Sequence, residues 1–186
     1  SPVASDAQIG SEQNTIVSVT TSGRVQTRQI DGQKFTINLD YAPMTRANFA
    51  PIKAFLMKQR SRLNTFTIIP PVVSNAQGVA TGTISVDGAI SAGATTCTID
   101  GMTTGTNGIL KAGDYFRFTG QEKVYMAVED LDADGTGSGT LTFEPPLRSN
   151  VANDVVRGNG VEQTLESTRK AASLPDIKRL GDAFDW

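Results

Sequence analysis

The chain has 186 residues with 17 basic and 19 acidic side chains, a formal net charge of −2 and a hydrophobic fraction of 38%. This composition is that of a globular protein able to bury a core, and its charge balance argues against a protein built to coat nucleic acid. Histidine is absent and Cys97 is the single cysteine, which excludes a Ser-His-Asp triad, a Cys-His pair, a histidine-ligated zinc and any internal disulfide.

Residues 1–14 are small and polar and are expected to form a loose N-terminal arm. They lack the basic-then-apolar layout of a secretory signal. No apolar run approaches the roughly 20 residues of a membrane helix, so neither export nor a membrane partner is expected.

The run QKFTINLDY alternates, with Phe35, Ile37, Leu39 and Tyr41 on one face and Lys34, Thr36, Asn38 and Asp40 on the other. That is the period of a half-buried strand. The preceding TSGRVQTRQ is expected to pair with it through an Asp31-Gly32 hairpin turn. In TRANFAPIKAFLMKQR, residues Phe49, Ile52, Phe55, Leu56 and Gln59 fall at helical spacing, predicting one amphipathic helix capped by Thr45 or Asn48. Pro51 requires that the helix begin near Asn48 or be kinked. Lys58, Arg60 and Arg62 lie at its C-terminal end, where cations complement the helix dipole. A strand, TFTII, then runs into Pro70-Pro71, completing an α+β unit with an antiparallel sheet.

From about residue 75 to residue 160 the pattern changes to short alternating runs, VATGTISV, TTCTI, YFRF, KVYMAV and GTLTF, separated by Gly, Asn and Asp clusters. Such spacing predicts a small all-β barrel or sandwich, with LKAGDYFRF as a turn feeding a strand. Cys97, in TTCTI, reads as a small buried apolar side chain. The tail is expected to add a strand, VEQTLEST, and a closing segment, IKRLGDAFDW. Ile177, Leu180, Phe184 and Trp186 are too few for a core of their own, so residues 161–186 are expected to rejoin residues 15–74 as one domain. Residues 75–160 would then be an insertion. Trp186 ends the chain with no polar cap, so the last strand is expected to be cut short.

Charge is unevenly spread. Residues 24–62 carry eight basic and two acidic side chains, whereas residues 63–148 carry four basic and nine acidic. Identical subunits packed head to tail would match these signs, and Arg24, Arg28, Lys53, Lys58 and Arg60 are the candidate contacts to an acidic neighbour.

Other chemistries find little support. Asp130, Asp132, Asp134 and Gly135 match the first half of an EF-hand loop, but Leu141 stands where a bidentate Glu is required, and turn formation explains the residues without a metal. The GTGSG stretch lacks the Lys-Ser/Thr of a phosphate loop. No carboxylate pair is singled out for a cell-wall hydrolase, and Tyr115, Tyr125 and Trp186 form no stacking platform. No catalytic residue, cofactor or metal is therefore expected.

The run from Ser22 to Pro71 resembles the opening of a family of minor tail proteins of tailed bacteriophages. The resemblance lies in a corner of Tyr41, Pro43, Met44 and Thr45, a helix motif of Phe49, Pro51, Ala54, Phe55 and Leu56, and the strand from Thr65 to Pro71. The middle is similar to the family's inserted β module, in its turn from Lys111 to Asp114, its strand from Lys123 to Tyr125 and its closing Glu144 to Leu147. These motifs span residues 22–148, while the C-terminal stretch matches only in offering a final strand.

The resemblance implies a mainly β (α+β) fold, a split β-barrel or antiparallel sheet with one flanking helix and an inserted small all-β, OB-like or barrel module. It implies a virion structural protein of the tail tip or baseplate, made in the host cytoplasm, with no catalytic role. Such distal-tail-like proteins commonly form a homo-hexameric ring joining the tail tube protein to the hub. The alternative is a module that binds a host-surface glycan or receptor through the loops at residues 101–108 and 130–139.

Overall fold

The computed structural model describes residues 4–60, 63–70, 75–79, 83–158 and 163–166. Arg62, Pro71 and the closing segment from Ile177 to Trp186 lie outside the described residues. The protein is mainly β, with one helix and a curled antiparallel sheet accompanied by smaller two-stranded sheets.

The chain opens with a long antiparallel ribbon of β1 (Asp6–Val19) and β2 (Val25–Asp40), paired from Asp6↔Asp40 to Val19↔Val25. Residues 6–14 belong to a paired strand rather than a loose arm, because their backbone groups find partners on β2 even though most of their side chains are polar. Nor is Asp31-Gly32 the hairpin turn. The turn lies at residues 20–24, where Thr20 N–H donates to the Arg24 carbonyl (2.9 Å) and Arg24 N–H donates to Thr20 Oγ1 (3.1 Å). Gly23 supplies its positive φ of 80°. Asp31, Gly32 and Gln33 instead form a bulge opposite Gln13, where the register shifts between Glu12 and Asn14. Gly32, at φ 113°, shows why the dipeptide misleads: a residue tolerant of positive φ suits a bulge as well as a turn.

Helix α1 (Arg46–Lys58) starts at Thr45, whose extended backbone (φ −65°, ψ 155°) makes it the N-cap residue without a side-chain cap bond. Pro51 sits inside the helix, so the bond its N–H would have made to the Ala47 carbonyl is forfeited. No residue of the helix itself is buried. Its described ring contact runs from Phe55 edge-on to Phe66 at 5.2 Å. Phe66 belongs to β3 (Thr65–Ile68), which pairs with β12 (Gln163–Glu166) in the register Thr65↔Glu166 to Ile68↔Gln163. The chain thus leaves this small sheet after β3 and returns to it at β12.

Between these points lie β4 (Ser85–Val86), β5 (Ala89–Ile90), β6 (Thr96–Asp100), β7 (Tyr115–Phe118), β8 (Tyr125–Ala127), β9 (Gly139–Glu144), β10 (Val151–Ala152) and β11 (Val156–Arg157). Six of them form one antiparallel sheet in the order β11-β7-β8-β9-β6-β4, and β5 pairs with β10. The sheet curls until its edges meet. Ser85 bridges Val155, Val86 N–H donates to the Asp154 carbonyl (3.0 Å) and Val156 N–H donates to the Ile84 carbonyl (2.9 Å). This closure removes the open edges that would otherwise pair with other chains.

Strict alternation fills the interior. Cys97 and Ile99 of β6, Phe116 and Phe118 of β7, Tyr125 and Ala127 of β8, and Leu141 and Phe143 of β9 all point inward and are buried. Phe116, Phe118, Tyr125 and Phe143 form a cluster of rings with centroids 5.4–5.9 Å apart. The Tyr125 hydroxyl is satisfied at the rim, donating to Gln121 Oε1 (2.8 Å) and accepting from Arg148 N–H (3.1 Å).

One buried carboxylate ties the barrel's entry strap to its wall. Asp114, 3% exposed, accepts N–H bonds from Gln77 (2.7 Å), Gly78 (3.1 Å) and Lys111 (2.8 Å). Asp114→Ala leaves these N–H groups without their acceptor and is expected to destabilise the barrel by about 3 kcal/mol or more. Urea unfolding followed by far-UV circular dichroism measures the loss.

Candidate assembly surface

Outside the barrel the arrangement inverts. On the ribbon's proximal half, Ala7, Ile9, Phe35, Ile37 and Leu39 share one face and are buried or half-buried. Beyond the bulge no such face exists. Thr15, Val17, Val19, Val25, Thr27 and Gln29 line one side, Asn14, Ile16, Ser18, Gln26, Arg28 and Ile30 the other, and nearly all are exposed. Val19 is 64% and Val17 59% exposed. β1 and β2 form a two-stranded sheet, so each also presents an outer edge along its length. A lone two-stranded ribbon with both faces wet is marginal in water.

Helix α1 repeats the pattern. Phe49, Phe55 and Leu56 are exposed, Met57 is 68% exposed, and Leu63 beyond the helix end is exposed as well. The helical spacing read from the sequence is real, but among the described residues the stripe is largely exposed, only Ile52 being half-buried, Gln59 buried beyond the helix end and Phe55 set edge-on to Phe66. These exposed apolar side chains make the distal ribbon and the helix the candidate contact surface.

The five candidate cations fall into two groups on this surface. Arg24 closes the hairpin turn and Arg28 lies across from Ile16 on β2. Lys53 and Lys58 stand on the helix, and Arg60 follows it in a left-handed conformation at φ 50°. All five are exposed, and none has an ion-pair partner among the described residues. They flank the exposed apolar residues without forming one cluster. Sequence reasoning missed Ile16, Val17, Val19, Val25 and Ile30, although the alternation in TIVSV, mirrored across the Thr20 turn, is their signal.

The two loops at one end of the barrel are knit together. Met102 N–H donates to the Gly137 carbonyl (3.1 Å), Gly105 N–H to the Asp134 carbonyl (3.0 Å), Ala133 N–H to the Thr106 carbonyl (2.9 Å) and Gly108 N–H to Asp132 Oδ1 (2.6 Å). The EF-hand-like carboxylates are engaged separately. Asp130 takes Lys111 Nζ (2.7 Å) and Ala112 N–H (2.9 Å), while Asp134 Oδ1 accepts from the Thr136 hydroxyl (2.7 Å) and from Thr136 and Ser138 N–H. Among the described residues no group of three metal-ligating side chains converges. Cys97 is buried in the barrel, and burial pushes its thiol up to about 12, leaving no reactive thiolate at neutral pH. Among the described residues no helix is long and apolar enough to cross a membrane.

No protein-family model matches this chain, and no curated protein matches it.

The Lys111 ammonium, with help from the Ala112 N–H, holds the Asp130 carboxyl below its usual 3.8, and the Thr136 hydroxyl, with the Ser138 and Thr136 N–H groups, does the same for Asp134. A carboxylate whose folded pKa is depressed contributes stability that is complete above the unfolded value and lost as pH falls through the folded one. The melting temperature should therefore fall as pH drops below about 4, and the Asp130→Asn/Asp134→Asn double variant should show a shallower fall over that window. Thermal unfolding by circular dichroism at a series of pH values checks both.

Proposed function

We propose that this protein is a virion structural subunit of a bacteriophage tail tip, a ring-forming, distal-tail-like adaptor between the tail tube and the hub or host-recognition parts. The observation that carries the reading is the contrast between a barrel with its own closed interior and a distal ribbon and helix whose apolar side chains are largely exposed among the described residues. A subunit of a larger assembly accounts for that contrast, because neighbours supply the missing layers and cover the strand edges. The resemblance of residues 22–148 to minor tail proteins supplies the particular assembly.

In this reading the mechanism is geometric rather than catalytic. Six copies surround an axis, each ribbon and helix meets the next subunit, and Arg24, Arg28, Lys53, Lys58 and Arg60 set the orientation against an acidic neighbouring surface. The candidate acidic partners are the side chains of the barrel, whose residues 63–148 are net negative.

A second reading, a module that binds a host-surface glycan or receptor, draws on the hydrogen bonds that brace the two end loops into one rigid face. Binding to a glycan array by the full chain supports it.

Sedimentation velocity across a concentration series, at low and high salt, tests the leading reading. The expected result is a closed ring, with Arg28→Glu/Lys58→Glu weakening it at least tenfold and most strongly at low ionic strength. Unchanged assembly of that variant removes the charge pairing from the account, and a monomer at every concentration together with glycan binding favours the second reading.

A further inference from the structure

The bulge in β2 meets the barrel at one side chain. Lys123, in the turn before β8, extends its ammonium to the Gln33 carbonyl (2.8 Å) and to Gln33 Oε1 (2.6 Å), and lies over the Phe35 ring at 5.3 Å from the centroid. Gln33 is prepared for this. It lies in the interruption of the ladder, where it has no cross-strand partner in register, so its carbonyl is turned to another donor. Its amide nitrogen donates to Ser11 Oγ (2.7 Å), which aims the amide oxygen at Lys123. Phe35 continues the contact, meeting Tyr115 of the barrel edge-on at 5.5 Å.

We propose that the bulge is a socket and Lys123 the latch that seats the ribbon on the barrel and fixes the direction in which its distal half projects. Apolar packing does not do this alone. An open cleft of about 390 Å³ runs between the two parts, with Ile9 and Phe35 on the ribbon side and Tyr115 and Met126 on the barrel side, so the joint is not close-packed in the manner of a core. Such a joint can swing unless directional contacts hold it. Burial and the nearby Arg148 both disfavour charge on Lys123, so the ammonium is retained there by the Gln33 oxygens and the Phe35 face. The socket also explains the Asp31-Gly32 pair. Without a residue able to adopt the φ of 113° found at Gly32, the bulge would not form and Gln33 would return to the ladder.

The latch is independent of how many copies assemble, and it is tested on the full chain at dilute concentration by amide hydrogen exchange. An unseated two-stranded ribbon is marginal, so release should appear as ladder opening. Lys123→Met keeps the side chain's apolar stem and removes its donors. Exchange at residues 7–11 and 35–39 should accelerate about tenfold while β8 and β9 keep their protection. Gln33→Ala, which alters the ribbon and leaves the barrel's own packing intact, should accelerate the same amides by a smaller factor because the backbone carbonyl remains. The double variant should exchange no faster than Lys123→Met alone. Unchanged ribbon exchange in Gln33→Ala, effects of the two variants that simply multiply, or acceleration in Lys123→Met that is equal in ribbon and barrel, would each overturn the proposal.

Discussion

Four rings, those of Phe116, Phe118, Tyr125 and Phe143, meet inside the barrel, and everything else in the molecule is arranged around the fact that they meet there. All four come from three strands adjacent in one sheet, β7, β8 and β9, each at an inward position of a two-residue period, and their packing goes with the curl of that sheet. Curling brings Ser85 to Val155 and closes the edges. Asp114 then fixes the strap that leads into the barrel, replacing lost water contacts with three N–H donors.

Concentrating the large buried side chains in the barrel leaves the first third of the chain with little interior. Among the described side chains of the ribbon only Ala7 is buried, and helix α1 buries none of its residues. Edges and faces that a self-contained domain would cover stay open over most of β1, β2 and α1. The same polypeptide therefore combines a part with a closed apolar interior and a part whose apolar side chains are largely exposed among the described residues. Between them sits the seam where Lys123 enters the bulge, so the direction of the uncovered part is set from the covered one.

The barrel was legible because periodicity and burial agree there: YFRF, TTCTI and GTLTF each place alternate residues inside, as a period of two demands. The ribbon was half legible. Phe35, Ile37 and Leu39 announce β2, but β1 carries Asp6, Gln8, Glu12 and Asn14, side chains that reveal no buried face because its outer face and distal half have none, and Ser11 breaks the short apolar alternation of Ala7 and Ile9. Asp31-Gly32 reads as a turn because the same backbone freedom serves a turn and a bulge, and only the partner strand's register distinguishes them. The helix was found by its apolar spacing, yet spacing cannot say whether a stripe faces its own core or a neighbour. The five candidate cations are exposed beside that stripe and the distal ribbon, which is where the sequence alone could not have placed them relative to one another.

In the proposed assembly the distal ribbon and the helix acquire their cover from neighbouring subunits, and that cover is open to a direct test. Its most direct measurement is amide hydrogen exchange of residues 15–29 and 46–58 in the unmodified chain as protein concentration is raised through assembly. Weak protection is expected in the dilute chain and strong protection once subunits associate, with the barrel amides protected throughout. Strong protection of both segments in the dilute monomer, unaltered by concentration, would contradict it.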